Sequence, residues 1–112
     1  MTNNKQYVLA TYCVELEKQD EFLSLLSNAE SVMRAEGLIT EKPAYRMRSN
    51  ENAELILEIF EWCESNSFEK AQENSKILEL WGKFESVWKS GGFGLKEFPE
   101  AENGWAQFSS LC

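Results

Sequence analysis

Residues 54–63 constrain the fold more than any other segment of the chain. Their sequence, E-L-I-L-E-I-F-E-W-C, is rich in β-branched and aromatic residues, which predicts a β-strand. Side chains alternate across a strand. One face therefore carries Leu55, Leu57 and Ile59, and the other carries Ile56, Glu58, Phe60 and Trp62. We expect a helix to cover the aliphatic face and a different surface to meet the aromatic one.

Three patterned segments precede this strand. Residues 6–15 are rich in β-branched and aromatic side chains, which predicts a first strand with both faces covered. Residues 18–36 place apolar side chains three and four apart, which predicts an amphipathic helix that ends at Gly37. Residues 38–49 predict a second strand, and Pro43 within it indicates an edge position or a bulge.

The second half of the chain repeats the pattern of helix and strand. Residues 65–89 predict a helix, which Asn74 and Ser75 can interrupt, and its apolar stripe of Trp81, Phe84 and Trp88 is typical of core packing. Residues 93–98 predict a fourth strand. The aromatic tail, residues 104–108, is expected to dock on the domain.

The order strand-helix-strand-strand-helix-strand defines the predicted fold class. It is the split βαβ motif, an α+β ferredoxin-like βαββαβ fold with a four-stranded antiparallel sheet and two helices on one face. No linker or repeat divides the chain, so residues 1–112 are expected to form a single domain. The bare sheet face would expose Tyr12, Ile56, Phe60 and Trp62, which predicts a homodimer through that face.

Charge and composition exclude several classes of protein. Nineteen Asp and Glu outnumber eleven Lys and Arg, and the net charge of -8 disfavours nucleic acid and anionic membrane surfaces as partners. Residues 1–6 lack the apolar core of a secretion signal, and no apolar run is long enough to span a membrane, so we expect a cytoplasmic location. Three cysteines without CxxC spacing favour neither disulfides nor zinc.

We expect no cofactor. The chain contains no histidine, which excludes His-ligated haem and metal sites and every nucleophile pair that needs His. The Gly cluster around Gly91 follows a helix instead of joining a strand to one, so it does not indicate a dinucleotide site. Acid or base catalysis would have to use Glu, Asp, Lys, Tyr or Cys.

Three segments carry a resemblance to a known family: L-E-I-F-E-W at 57–62, S-K-I-L-E-L-W-G-K-F-E-S-V at 75–87, and the tail at 98–108. With the order of elements, they resemble the dimeric α+β barrel superfamily, in particular its antibiotic-biosynthesis-monooxygenase-like group, over residues 7–108. The resemblance implies a homodimer with a ligand cavity. It also implies one of three activities: cofactor-independent oxygenation of polyphenols, haem degradation or muconolactone-type isomerisation. The histidine of the haem-degrading type has no counterpart here.

Glu58 is the candidate catalytic residue, because Ile56 and Phe60 flank it on one strand face. In a dry pocket its pKa would rise and it could accept a proton. The alternative interpretation is a structural Glu58 paired with Arg46 or Arg48 of the neighbouring strand.

The candidate ligand-binding residues are Tyr12, Tyr45, Trp62, Asn74 and Arg46. The aromatic residues could stack on a flat substrate, Asn74 could offer an amide, and Arg46 with Arg48 could clamp an anion. Each also has a structural interpretation, as a core or interface anchor, a local helix cap or a solvated ion pair.

Three functions follow as hypotheses. The first is a homodimeric binder of a small, partly aromatic molecule, or a cofactor-independent monooxygenase-like enzyme that acts on one. The second is a non-catalytic dimeric module whose aromatic residues seal the interface. The third is an isomerase of the muconolactone type.

Overall fold

The computed structural model describes residues 6–88, 90–91 and 105–109. Strand β1 (Gln6–Cys13), a 3-10 turn (Leu16–Lys18), helix α1 (Gln19–Ala35) and strands β2 (Tyr45–Arg48) and β3 (Leu55–Trp62) come first. Helices α2 (Ser67–Gln72) and α3 (Ser75–Phe84) and strands β4 (Ser90–Gly91) and β5 (Trp105–Ser109) follow. None of the described helices is long and apolar enough to cross a membrane.

The strands form one antiparallel sheet. Its order is β2-β3-β1-β4, and β5 pairs with a different stretch of the same edge of β1. β1 and β3 pair along eight residues, from Gln6 opposite Trp62 to Cys13 opposite Leu55. The α+β class with an antiparallel sheet is therefore confirmed. β2 lies at the edge of the described sheet, one of the two positions that Pro43 indicated.

The helices cover the face of the sheet that carries Tyr12. The Tyr12 ring lies 5.0 Å from the Phe22 ring of α1 and 6.1 Å from the Phe84 ring of α3, between centroids. The β3 residues on this helix-covered face are all buried: Ile56, Glu58, Phe60 and Trp62. The expectation that a helix covers Leu55, Leu57 and Ile59 was thus wrong, as was a bare face with Tyr12, Ile56, Phe60 and Trp62. The physical reason is that Glu58 is compensated by polar partners, so the aromatic face can form the core.

An apolar patch lies on the opposite side of the sheet, which also carries the buried Thr11, Cys13 and Glu61. This patch, the far face, consists of Leu9, Tyr45, Met47, Leu57 and Ile59, which the strand register places side by side. None of these side chains belongs to the buried core or packs against it. Tyr45 and Met47 are exposed, at 69% and 47%.

Helix α1 ends at Ala35, and Gly37, the predicted stop, lies two residues beyond it. Gly37 has φ 76°, the left-handed conformation that glycine adopts without a steric cost. The Gly37 N–H donates to the Arg34 carbonyl (3.1 Å) and the Leu38 N–H donates to the Met33 carbonyl (2.9 Å). These two bonds form a Schellman motif, which satisfies carbonyls at the end of the helix.

The helical segment after β3 is divided at Asn74, as the sequence allows. The Asn74 side chain accepts hydrogen bonds from the N–H groups of Lys76 (2.9 Å) and Ile77 (3.2 Å), and so caps α3. Asn66 occupies the same position at the start of α2 but makes no side-chain capping bond.

One predicted strand is shorter in the structure, and another lies outside the described residues. The second strand is limited to Tyr45–Arg48, preceded by one isolated bridge between Ile39 and Trp62. The strand predicted at 93–98 lies outside the described residues. The predicted docking of the tail is confirmed, because Trp105–Ser109 pairs with β1.

Candidate functional site

A buried carboxylate lies at the centre of the helix-covered face. Glu58 of β3 is 5% exposed, and its neighbour across the β1–β3 pair is Ala10. The Tyr12 hydroxyl donates to Glu58 Oε1 at 3.0 Å. The Arg46 Nε donates to Glu58 Oε2 at 2.8 Å. Both carboxylate oxygens are therefore engaged by side chains from the two flanking strands.

Arg46 links this carboxylate to α1. Its Nη2 donates to Glu30 Oε1 at 2.7 Å and to the Leu26 carbonyl at 3.2 Å. Glu30 in turn accepts hydrogen bonds from Arg34 Nη2 and from the Ala44 N–H, each at 2.9 Å. The result is a continuous polar network between the sheet and the first helix.

The protonation of the network follows from burial and pairing. Burial raises the pKa of the Glu58 carboxyl, and the Arg46 guanidinium and Tyr12 hydroxyl offset this only in part. Burial and the Glu58 charge raise the pKa of Tyr12 well above its usual value, so the phenol keeps its proton and donates it. Burial also raises the pKa of Glu30, but bonds from Ala44, Arg34 and Arg46 outweigh burial and lower it.

This arrangement is a satisfied structural network in the described conformation. A buried ion pair is retained when additional hydrogen bonds complete its geometry, and each member here has such bonds. A base needs a lone pair that faces a substrate. Each Glu58 oxygen already accepts one hydrogen bond, from Tyr12 or from Arg46, so a proton from the groove side would reach Glu58 through the Tyr12 hydroxyl.

The structure brings only some of the predicted site residues together. Tyr12, Glu58 and Arg46 are in direct contact, and Trp62 is buried on the same face beside Phe60 (ring centroids 5.1 Å apart). Tyr45 lies on the far face, so it does not share a pocket with Glu58.

Asn74 also lies apart from Glu58. Its amide caps α3, and its Nδ2 donates to Glu36 Oε1 at 2.8 Å. The structural interpretation of Asn74 as a local cap is therefore the one that the geometry supports.

An aromatic groove of about 530 Å³ lies along α2 and α3. Its lining residues are Phe68, Gln72, Leu78, Trp81, Gly82, Phe84, Glu85 and Trp88. Trp81 and Trp88 are half-buried and pack against the core with one side, whereas Phe84 is fully buried. The apolar stripe was predicted to pack in the core. Phe84 does so fully, whereas Trp81 and Trp88 pack against the core and also form a wall of the groove.

The groove and the buried carboxylate are connected through two rings. Trp88 stacks on Tyr12, with centroids 5.7 Å apart and planes 26° apart. The Tyr12 hydroxyl then reaches Glu58. The Trp88 ring thus separates the groove from the polar network by one aromatic layer.

No metal site is evident in the described part of the chain. Within residues 6–88, 90–91 and 105–109, no three Cys, Asp or Glu side chains are grouped as metal ligands.

The fold is that of the antibiotic-biosynthesis-monooxygenase-like proteins. SnoaB, a cofactor-independent oxygenase from Streptomyces nogalater, is 10% identical with a TM-score of 0.73, over 98% of this chain and 96% of that one. A candidate antibiotic biosynthesis monooxygenase from Nitrosomonas europaea is 9% identical with a TM-score of 0.69, over 99% and 95%. A conserved protein from Methanosarcina mazei is 22% identical with a TM-score of 0.61, over 78% and 84%.

Identities this low establish the fold and not the activity, since one fold supports many functions. Neither a protein-family model nor a curated protein sequence matches the chain. The predicted resemblance is confirmed as a likeness of fold.

Sequence reasoning missed two sets of residues. Glu30 was not predicted as part of the site, although it is the second carboxylate on Arg46. Phe68 and Gly82 were not recognised as groove residues. The one signal for them was the break at Asn74, because a helix that bends between two aromatic segments leaves a concave side.

Proposed function

We propose that the protein binds a small, flat, hydroxylated aromatic molecule in the aromatic groove. The observation that carries this proposal is the combination of volume and lining. About 530 Å³ lies within the range of about 300–1,000 Å³ that is typical of small-molecule sites. Phe68 and Trp88 offer ring faces for stacking, and two polar side chains stand among the lining residues.

The polar lining suggests the substrate class. Gln72 can donate and accept hydrogen bonds, and the Glu85 carboxylate can accept them. Both side chains are exposed, so a ligand need not displace a buried partner to reach them. A polyphenol has hydroxyl donors at the edge of a flat ring, which matches acceptors at the rim of an aromatic groove.

The proposed activity is that of a cofactor-independent monooxygenase-like enzyme, with Glu58 as the base. The fold of SnoaB supports it by analogy. Without a cofactor the electrons for O₂ must come from the substrate, and proton loss makes a phenol a better electron donor. Glu58, with its raised pKa, would receive that proton through Tyr12 once Trp88 had moved aside, with Arg46 and Trp62 holding Glu58 and the surrounding core in place.

Binding without turnover is the alternative, and one observation favours it. Both oxygens of Glu58 already accept hydrogen bonds, from Tyr12 and Arg46. The same engagement weighs against a muconolactone-type isomerase, which needs a free proton shuttle. The enzyme and the binding protein would both take the ligand in the groove. They differ only in whether Glu58 accepts a proton from it.

Binding is tested by titrating the protein with 1,4-dihydroxynaphthalene in the absence of oxygen while tryptophan fluorescence is recorded. We expect saturable quenching. Gly82→Leu should weaken the affinity at least about tenfold, because a side chain at Gly82 meets no atom within 4 Å and would fill the groove. Leucine also has the higher helix propensity, so loss of binding would not reflect loss of the helix.

Glu79→Leu is the matched control, since Glu79 is exposed on α3 and does not line the groove. Equal affinity in wild type and Gly82→Leu, or no saturable quenching, would contradict the proposal. Oxygen uptake with the same compound then separates the two versions. An enzyme raises oxygen uptake above that of the compound alone and loses this increase in Glu58→Gln while still binding, whereas a binding module gives no increase in either form.

We further propose that the protein is a homodimer paired through the far face, as a dimeric α+β barrel with a ferredoxin-like sheet in each protomer. Exposed Tyr45 and Met47, with half-buried Leu57 and Ile59 beside them, support it, since an apolar surface of this kind is covered in most soluble proteins. A single domain over residues 1–112 and a cytoplasmic location belong to the same proposal.

A further inference from the structure

The two arginines on the inner side of β2 differ in how their charges are compensated. Arg46 donates to two carboxylates and a carbonyl. Arg48 donates through Nε (3.0 Å) and Nη2 to one neutral acceptor, Gln19 Oε1. Among the described residues, no carboxylate oxygen lies within 4 Å of the Arg48 guanidinium, although the chain carries a net charge of -8. Arg48 thus presents an uncompensated positive charge.

Arg48 is held in place by a buried side chain. Gln19 is 2% exposed, and its Nε2 donates to the carbonyls of Ala53 (2.7 Å) and Val14 (3.1 Å). The Gln19 oxygen is therefore fixed, and it fixes the guanidinium in turn. A guanidinium has five N–H groups, and Gln19 receives two of them, which leaves donors directed elsewhere.

A pocket of about 180 Å³ lies beside this guanidinium, between α1 and β2. The β2 pocket is lined by Gln19, Leu23, Arg46, Met47, Arg48 and Ile56. It shares no lining residue with the aromatic groove. Its volume corresponds to about six water molecules at about 30 Å³ each, which is the size of a small ring or a short chain.

We propose that the β2 pocket binds a small monocarboxylate with an apolar body, and that Arg48 binds its carboxylate. A guanidinium pairs with a carboxylate through two parallel hydrogen bonds, which matches the planar donors of Arg48. Leu23 and Ile56 give the body of the ligand an apolar wall. The single positive charge of Arg48 matches a ligand with a single negative charge. An inorganic dianion would make no contact with the apolar wall. This site is independent of the proposed function in the aromatic groove.

The proposal is tested with benzoate as the probe, by nuclear magnetic resonance of the whole chain at low ionic strength. We expect saturable shifts at the backbone amides of Gln19 and Arg48 and at the Gln19 side-chain amide. Arg48→Gln should weaken benzoate binding at least about tenfold, and Arg48→Lys, which keeps the charge and loses the fork, should weaken it less.

Lys83→Gln is the matched control. It removes the same charge from an exposed position on α3, and we expect affinity within about twofold of wild type. Benzamide, the neutral analogue of the probe, should bind at least about tenfold more weakly than benzoate. Equal affinity for benzamide and benzoate, equal affinity in Arg48→Gln, or no saturable shift at these amides would each overturn the proposal. Unchanged amide dispersion in Arg48→Gln verifies that the variant is folded.

Discussion

Tyr12 takes part both in the aromatic packing of the core and in its buried hydrogen-bond network. Its ring contacts aromatic rings from α1 and α3 and the ring of Trp88, at centroid distances of 5.0 to 6.1 Å. Its hydroxyl donates to the buried Glu58. Both ends of one side chain therefore have fixed partners, which gives the phenol a defined position.

Removal of the Tyr12 hydroxyl should destabilise the fold. In Tyr12→Phe, Glu58 loses a hydrogen-bond donor in a buried environment, which costs about 1–3 kcal/mol of the free energy of unfolding. Urea denaturation followed by circular dichroism measures this change. Tyr7→Phe is the control, since the Tyr7 hydroxyl makes an exposed hydrogen bond with Lys42 at 3.4 Å, and we expect it to change the free energy by less than about 0.5 kcal/mol. Equal effects of the two changes would show that the bond to Glu58 contributes nothing.

The sequence predicted part of this network, and its limits have a physical cause. Glu58 and Arg46 lie on predicted neighbouring strands, so their pairing was one of two stated alternatives, and it is the one that the structure contains. Glu30 comes from the helix, and its bond to Arg46 depends on how α1 lies across the sheet. No local pattern of residues encodes that crossing.

At the scale of elements, the two short helices after β3 begin differently. Asn74 satisfies two N–H groups at the start of α3, and Asn66 makes no capping bond at α2. An N-cap side chain of this kind contributes about 1 kcal/mol, within a range of about 0.5–2. The two asparagines therefore form a natural comparison.

Asn74→Ala should lower the free energy of unfolding by about 1 kcal/mol, because Lys76 and Ile77 lose their acceptor. Asn66→Ala should change it by less than half as much. Thermal and urea denaturation of both variants measure the difference. A larger loss in Asn66→Ala than in Asn74→Ala would contradict the capping geometry.

Most helices and strands could be predicted from periodicity. The side of the sheet that the helices cover could not. The apolar spacing of residues 18–36 and the composition of residues 54–63 located α1 and β3 to within a few residues. The side of β3 that meets the helices was predicted wrongly, because Glu58 made that face look unsuitable for burial. Its compensation comes from Arg46 and Tyr12, which are distant in sequence, so a strand considered by itself cannot reveal it.

For the whole molecule, the far face predicts the oligomeric state. Light scattering of the wild type should give about twice the 12.9 kDa mass of one chain. Tyr45→Lys should shift the mass toward that of a single chain, since it places a charge from each protomer within the proposed apolar contact.

Leu16→Lys is the control for this experiment. Leu16 is 60% exposed and lies in the turn before α1, outside the far face, so the same charge there should leave the dimer intact. A wild type with the mass of one chain would contradict the homodimer. So would a Leu16→Lys variant that dissociates as readily as Tyr45→Lys.

The three bonds of Arg46 also bear on how the sheet comes apart. A four-residue strand at a sheet edge ordinarily opens by itself, with little free energy, and its amide hydrogens exchange quickly with solvent. Here the opening of β2 would withdraw Arg46 from Glu58 and from Glu30 and Leu26 of α1, leaving a carboxylate buried without its counterion. Helix and edge strand are thereby joined into one cooperative unit, so the amides of β2 should exchange at rates set by the opening of α1.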